Sequence, residues 1–383
     1  MKKICVFTGT RAEYGLLKPL IKKFNHDKSI ELQIVVSGMH LSPEFGMTVN
    51  EIEEDGFSIS DRIEILLSSD SPVGISKSMG LGLISFSESL QRLKPDLVVI
   101  LGDRFESFSF ASACMISRVP IAHLNGGEAT YGLIDEPIRH SITKMSHLHF
   151  TATEEFKNRV IQLGEHPKNV YNTGSIGLDN VKDIDYLSKE EVEKTLDFTF
   201  KEKNLLVTFH PVTLDHSSAE DQITELLSAL AKYTNYGVIF TKGNADTDGR
   251  IINSKIDDFV STYKNAKAFN SLGLTRYLSC LKIVDAVIGN SSSGIIEVPS
   301  FKIGTVNIGD RQKGRIFADS VVNCPPNSKE IQSSMEKVLS TSFKEGLKDL
   351  SNPYEKSNTA EEIYKIIKAQ NLQGIIKKEF HNL

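Results

Sequence analysis

This 383-residue chain predicts two doubly wound α/β domains facing each other across a cleft, on three observations. Short runs rich in Val, Ile and Leu alternate with Gly- or polar-rich turns and helical patterns. The runs are continuously apolar instead of alternating, which marks strands buried on both faces of a parallel sheet. The rhythm stops over 172–203, a lysine- and glutamate-rich stretch without a buried strand, and then restarts.

In order, the first half supplies strands near 3–9, 31–37, 96–102, 119–124 and 147–152, with helices between them that include 15–25 and 84–93. The second half supplies strands near 205–209, 237–241, 286–289 and 305–308, and helices at about 220–232, 274–282 and 328–340. The expected division is an N-terminal domain over 1–172 and a C-terminal domain over 173–360, with 361–383 carrying a helix that packs back on the first domain. The length is comfortable for two cores.

Composition narrows the function. Apolar and charged fractions of 40% and 24% fit a globular protein, and a net charge of −5 offers no general attraction to nucleic acid or an anionic membrane. No apolar run reaches the roughly 20 residues of a spanning helix. The opening run ends at Thr8-Gly9, which reads as a first strand and not as a signal peptide. Cys5, Cys114, Cys280 and Cys324 show no paired spacing, so reduced, packed thiols in the cytoplasm and no metal cluster are expected.

Chemistry gathers between Val98 and His140. One apolar strand opens into Gly102-Asp103-Arg104, and the next into His123-Leu124-Asn125-Gly126-Gly127-Glu128. Asp135-Glu136 follows, just before Arg139 and His140. Loops at the carboxyl ends of neighbouring parallel strands converge on one crevice, so acids, histidines and an arginine should share a small volume. Met39-His40 ends the second strand, and His40 could reach the same place. His147 and His149 alternate with apolar residues on one strand face and read as structural.

Phosphate-binding signals come from three turns. The first strand ends in Thr8-Gly9-Thr10-Arg11-Ala12-Glu13-Tyr14-Gly15, whose small residues and helix start suit an anion. It is not the dinucleotide G-x-G-x-x-G. Gly289-Asn290-Ser291-Ser292-Ser293-Gly294 brings three hydroxyls and glycine N–H groups to a helix start, where they can wrap a diphosphate, and Glu297 could hold ribose hydroxyls. The basic loop with Arg311, Lys313 and Arg315 can neutralise phosphate oxygens. His210-Pro211 ends another strand, with Asp215 and His216 close behind. His210 there suits an acid or a hydrogen-bond donor for a leaving phosphate.

Together and in order, these motifs resemble the hydrolysing UDP-N-acetylglucosamine 2-epimerases, in particular the bacterial sialic-acid-pathway type. The resemblance rests on Thr-Arg-Ala-Glu-Tyr-Gly, Gly102-Asp103-Arg104-Phe105-Glu106, Gly126-Gly127-Glu128, Ile134-Asp135-Glu136, Ile138-Arg139-His140, His210-Pro211-Val212-Thr213 and Gly289-Asn290-Ser291-Ser292, and spans nearly the whole chain. It implies two Rossmann-like domains of the GT-B type, a homodimer, a UDP-sugar substrate, and neither metal nor nicotinamide. It implies elimination of UDP to a 2-acetamidoglucal and hydration with inversion, giving N-acetylmannosamine. Asp103, Glu128, Asp135, Glu136 and His210 are then the expected catalytic groups. Arg11, His40, Arg104, Asn125, Arg139, Asn290, Ser291, Ser292, Glu297, Arg311 and Arg315 are the expected substrate contacts.

One position departs from the resemblance. Several members carry a catalytic glutamate where this chain has Asn125, and an amide cannot take up a proton at neutral pH. Either Glu128 substitutes, or Asp103 with the Asp135-Glu136 pair suffices, or the sugar differs. The last option brings in the hydrolysing epimerases of the legionaminic-acid route, which act on a 2,4-diacetamido-trideoxy sugar nucleotide. Rival classes are a GT-B glycosyltransferase, which needs an acceptor, and a nucleotide-sugar-binding module, which needs no clustered acids.

Overall fold

The computed structural model describes residues 1–67, 69, 71–212, 218–243 and 249–383. They form two compact units. One comprises Met1–Glu128, Ile134–Asn180 and Tyr354–Leu383, the other Ala129–Leu133 and Val181–Pro353.

The first unit holds seven parallel strands: β1 (Lys2–Thr8), β2 (Ile30–Ser37), β3 (Asp61–Ile63), β4 (Leu97–Leu101), β5 (Ile121–Leu124), β6 (Leu148–Thr151) and β7 (Val170–Asn172). Their order is β3-β2-β1-β4-β5-β6-β7. Successive side chains of a strand point to opposite faces, so Ile4 and Val6 enter one core while Cys5 and Phe7 enter the other. Helices cover both faces, and for that reason β4 is buried from end to end. The Thr359–Ala369 helix contributes Ile363 and Ile367 to the same core as Leu17 and Phe24 of the Arg11–His26 helix.

The second unit holds β8 (Asn204–Thr208), β9 (Gly237–Thr241), β10 (Ala266–Phe269), β11 (Ala286–Gly289), β12 (Gly304–Ile308) and β13 (Val321–Cys324), ordered β10-β9-β8-β11-β12-β13 and also parallel. Leu205 and Val207 face one core and Leu206 the other.

Each sheet reverses its strand order once, between β1 and β4 and between β8 and β11. A chain that winds outward from such a point and then returns leaves its loops parted there, opening a crevice at the carboxyl ends. The segments singled out above leave these strands: residues 9–11 follow β1, 102–104 follow β4, His210 follows β8 and Asn290 follows β11.

Sequence periodicity passed over the short strands β3, β7, β10 and β13, which have only three or four residues each. It also started the third helix too late. Ser71 accepts a hydrogen bond from the Gly74 N–H and caps a helix running Pro72–Leu93, twelve residues earlier than the apolar pattern at 84 suggests. The early turns are masked in the sequence by glycines and serines and by exposed apolar residues such as Val73 and Leu81.

Candidate active site

In the first unit the organising group is Arg139, buried on the Asp135–Met145 helix with 1% of its surface exposed. Its Nε donates to Asp103 Oδ2 at 2.8 Å, one terminal nitrogen to Glu136 Oε2 at 2.6 Å and to the Glu128 carbonyl at 2.9 Å, and the other to Asp103 again. Burial alone would lower the guanidinium pKa, but Asp103, Glu128 and Glu136 raise it, so it stays charged. A planar fork that bonds several carboxylates at once is what arginine, unlike lysine, provides. Arg139 thus ties the end of β4, the loop after β5 and the first turn of its own helix into one cluster.

Glu136 also bonds His140, Oε1 to Nε2 at 3.1 Å, through the i, i+4 spacing of the helix. Asp135 and Glu136 occupy that helix's first turn, where the backbone dipole favours negative charge. Glu128 is buried at 2% exposure at the end of the β5 loop. His123 lies beneath these groups. Its Nε2 donates to the Gly102 carbonyl at 2.8 Å, and its Nδ1 is 3.1 Å from the Thr143 hydroxyl. Burial pushes its pKa down to about 3, so this histidine is a neutral support for the loop carrying Asp103.

Four expected contacts have other partners or surroundings. His40 is fully buried between the Thr8 and Thr48 hydroxyls, at 3.0 and 2.9 Å, and burial pushes its pKa down to about 4. It shapes the loop after β2 and has no surface toward a ligand. Arg11 pairs with Glu51 at 2.7 Å on the side of its helix. Arg104 turns to Glu106, at 3.2 and 3.3 Å. Asn125 has a left-handed backbone, φ 63°, which asparagine tolerates better than glutamate. Its identity therefore has a conformational reason as well as a chemical one.

The turn after β1 also differs from expectation. Its Gly9 and Thr10 N–H groups donate to the Glu13 carboxylate at 2.7 and 3.1 Å, while Thr10 caps the helix by accepting from the Glu13 N–H. The Glu13 carboxyl already fills the place the sequence suggested for a phosphate. The spacing Thr10-Arg11-Ala12-Glu13 is a capping box, and that signal was available in the sequence.

In the second unit, Gly289 ends β11 at φ 134°, and a Cβ there would lie 1.9 Å from the Thr208 carbonyl oxygen. This close approach lets Asn290 cross to β8. Its side chain accepts from the His210 N–H at 2.7 Å and donates to the His210 carbonyl at 2.8 Å, which uses the amide for structure. The Asn290 carbonyl in turn accepts from Arg311 at 3.1 Å and Gln312 at 2.8 Å. His210, Ser291 and Arg311 are thereby fixed around one loop. Gln312, buried at 1% exposure, is a member of this lattice that sequence reasoning missed, because a lone glutamine in a basic loop carries no motif.

Two details limit what the serine loop can do. The helix it opens is only Ser293–Ile296, too short for a large dipole, and Glu297 is its C-cap. The Ser293 hydroxyl accepts a bond from Tyr277 at 2.6 Å. The Ser291 hydroxyl accepts from the Ser293 N–H at 3.4 Å, and Arg311 is the neighbouring charge on the same loop. Arg315 follows at the end of the same loop, its N–H bonded to the Gln312 carbonyl at 3.1 Å. Thr213, Asp215 and His216 lie outside the described residues.

The profile of the UDP-N-acetylglucosamine 2-epimerase family matches residues 22–368. A Campylobacter jejuni GDP/UDP-N,N'-diacetylbacillosamine 2-epimerase (hydrolyzing) is 44% identical over 100% of this chain and 99% of its own length. The Escherichia coli polysialic acid biosynthesis protein P7 is 42% identical over 96% of this chain and 94% of its own. The crystal structure of the Neisseria meningitidis UDP-GlcNAc 2-epimerase bound to UDP-GlcNAc superposes with a TM-score of 0.81, covering 97% of this chain and all of that one at 19% identity, which speaks for the fold. The chain belongs to the hydrolysing UDP-N-acetylglucosamine 2-epimerase family.

Proposed function

We propose that the enzyme cleaves a UDP-linked 2-acetamido sugar into UDP and the free 2-epimer, by elimination and then hydration. A carboxylate of the Asp103–Glu128–Asp135–Glu136 group takes the proton from C-2 while the C-1–oxygen bond breaks and its electrons leave with UDP. Water then gives its hydroxyl to C-1, and a carboxylic acid returns a proton to C-2 from the opposite face. His210 meets the departing phosphate, and Ser291, Ser292 and Arg311 hold the diphosphate. The observation that carries this reading is the Arg139 clamp: it gathers several carboxylates at the mouth of one sheet, where two acid–base steps on one carbon need them.

For the sugar, we favour a UDP-2,4-diacetamido-2,4,6-trideoxyhexose over UDP-N-acetylglucosamine. Support comes from the Campylobacter relative, named for N,N'-diacetylbacillosamine, and from Asn125 in place of a carboxylate. The second reading, UDP-N-acetylglucosamine giving N-acetylmannosamine for sialic-acid-type sugars, is supported by the polysialic acid relative. Incubation with each sugar nucleotide in heavy water, read by NMR, tests both. One solvent deuterium at C-2 of a free sugar is expected, with faster release from the diacetamido substrate. Product without deuterium would rule out elimination, and a preference for UDP-N-acetylglucosamine would reverse the choice of sugar.

The enzyme acts as a homodimer in this reading, a second copy covering apolar residues exposed on neighbouring helices, among them Ile84 (64%) and Ile116 (75%). The four buried, unpaired cysteines fit the reducing cytoplasm, where nucleotide sugars are made.

A further inference from the structure

At the carboxyl ends of β12 and β13 the second unit has a cavity of about 690 Å³, lined in part by Asn307, by Asn323 and by Asp310 and Lys313 of the turn after β12. A space of that size takes a small-molecule ligand. None of the groups assigned to the reaction above lines it.

Asn307 is the unusual member of this lining. Side chains alternate along β12, so Val306 and Ile308 enter a core while Thr305 and Asn307 face the other way. Thr305 is satisfied, its hydroxyl donating to the Gly294 carbonyl at 2.9 Å. Asn307 is 2% exposed and only half satisfied. Its Nδ2 donates to Asn323 Oδ1 at 2.8 Å on the neighbouring strand, but its Oδ1 has no hydrogen-bond partner among the described residues. A buried acceptor without a donor costs stability, and a ligand that brings an N–H into the cavity offsets that cost.

The other walls narrow the ligand. Pro325 and Pro326 carry no N–H, and with Phe317 they give the cavity an apolar side. Lys313, the lining cation, is paired with Asp310 at 3.0 Å. The first N–H groups of the following helix, Ser328–Leu339, are taken by the Asn327 side chain that caps it. The Cys324 thiol, pushed up to about 11 by burial, is neutral. Such a lining suits an uncharged amide with a methyl group better than a phosphate or a carboxylate.

Resting on the reading of function above, we infer that this cavity receives the second acetamido group of the sugar. Asn307 Oδ1 accepts its N–H, and Phe317 with the two prolines covers its methyl. Asp310 and Lys313 stand on either side of Arg311, whose guanidinium bonds the Asn290 carbonyl next to Ser291. The proposed diphosphate loop and the cavity therefore share one turn. Neighbouring residues are about 3.8 Å apart, so the step between the two is within the reach of one hexose. Asn307 and Phe317 decide which sugar is held and move no proton of the reaction.

The test is calorimetric binding of UDP, UDP-N-acetylglucosamine and the UDP-2,4-diacetamido-2,4,6-trideoxyhexose to the full chain. The wild type should bind the diacetamido nucleotide at least about tenfold more tightly than UDP-N-acetylglucosamine, the gain expected from one hydrogen bond and one methyl contact. Asn307→Leu removes the acceptor at similar volume, and Phe317→Ala removes part of the apolar wall. Each should shrink the preference to about threefold or less, while UDP alone binds within about twofold of the wild type. A wild type that binds the two sugar nucleotides alike overturns the proposal. So do variants that keep the preference, or that lose UDP in step with the sugar nucleotides. Turnover does not enter these ratios: a protein that binds but releases no free sugar fails the function reading alone, and the ratios still decide the cavity.

Discussion

Replacing Arg139 by Met tests the clamp on which the acid cluster depends. The change keeps the length of the side chain and removes a guanidinium that is 1% exposed and bonded to Asp103, Glu136 and the Glu128 carbonyl. Breaking a buried ion pair from one side leaves an uncompensated charge and costs about 3–5 kcal/mol. For a domain of this size that is a fall of roughly 10 °C in melting temperature. Arg139→Lys keeps the charge but not the fork, and should cost about 1.5–3 kcal/mol through lost charged hydrogen bonds. Because the chain has no tryptophan, urea and thermal unfolding are best followed by circular dichroism. Both variants should also lose activity by more than tenfold at temperatures where they remain folded, since Asp103 is no longer held. An Arg139→Met protein that unfolds at the wild-type midpoint would refute the reasoning, because the carboxylates would then not need their partner.

Asp103→Asn should lower kcat by two orders of magnitude or more while leaving the fold intact, in line with losing acid–base help, and a near wild-type rate would remove Asp103 from the chemistry. Gly289→Ala should give little soluble protein, because its Cβ would meet the Thr208 carbonyl oxygen at 1.9 Å, and soluble expression with normal UDP binding would contradict the tight crossing. Stability should fall on acidification: burial holds His40, His123 and His147 at about 4, 3 and 4, so below pH 6.5 the unfolded chain takes up protons the folded one refuses, at about 1.4 kcal/mol per pH unit for each histidine. Glu13 has the opposite sign, stabilising at low pH and costing stability as pH rises from 4.5 toward 7, so it offsets one of these histidines, while His149, also pushed down by burial, adds to them; the net fall on acidification is checked by urea midpoints from pH 4.5 to 6.5. Ile84→Glu with Ile116→Glu should halve the solution mass by light scattering if a second copy covers that face, and an unchanged mass would exclude it.

Much of this protein is legible in its residues because it is built from repeated buried strands. Runs such as Leu97–Leu101 and Asn204–Thr208 are apolar throughout, and only a sheet covered on both faces accepts that pattern. Charges stand at the ends of those runs because the interior will not hold them, so Asp103, Glu128 and His210 were visible as candidates. Their partners were not. Sequence spacing places His40, Arg104 and Asn290 beside the ligand crevice, but it cannot tell a side chain turned outward from one drawn into a buried network. The Thr8–His40 bond and the Asn290–His210 bridge join residues 32 and 80 positions apart. Only the strand order β3-β2-β1-β4 and its counterpart around β8 and β11 bring such residues together. Local chemistry therefore fixed which groups are available, and long-range packing decided which of them are used for structure and which are left for a substrate, because desolvation forces every buried polar group to find its partner within reach.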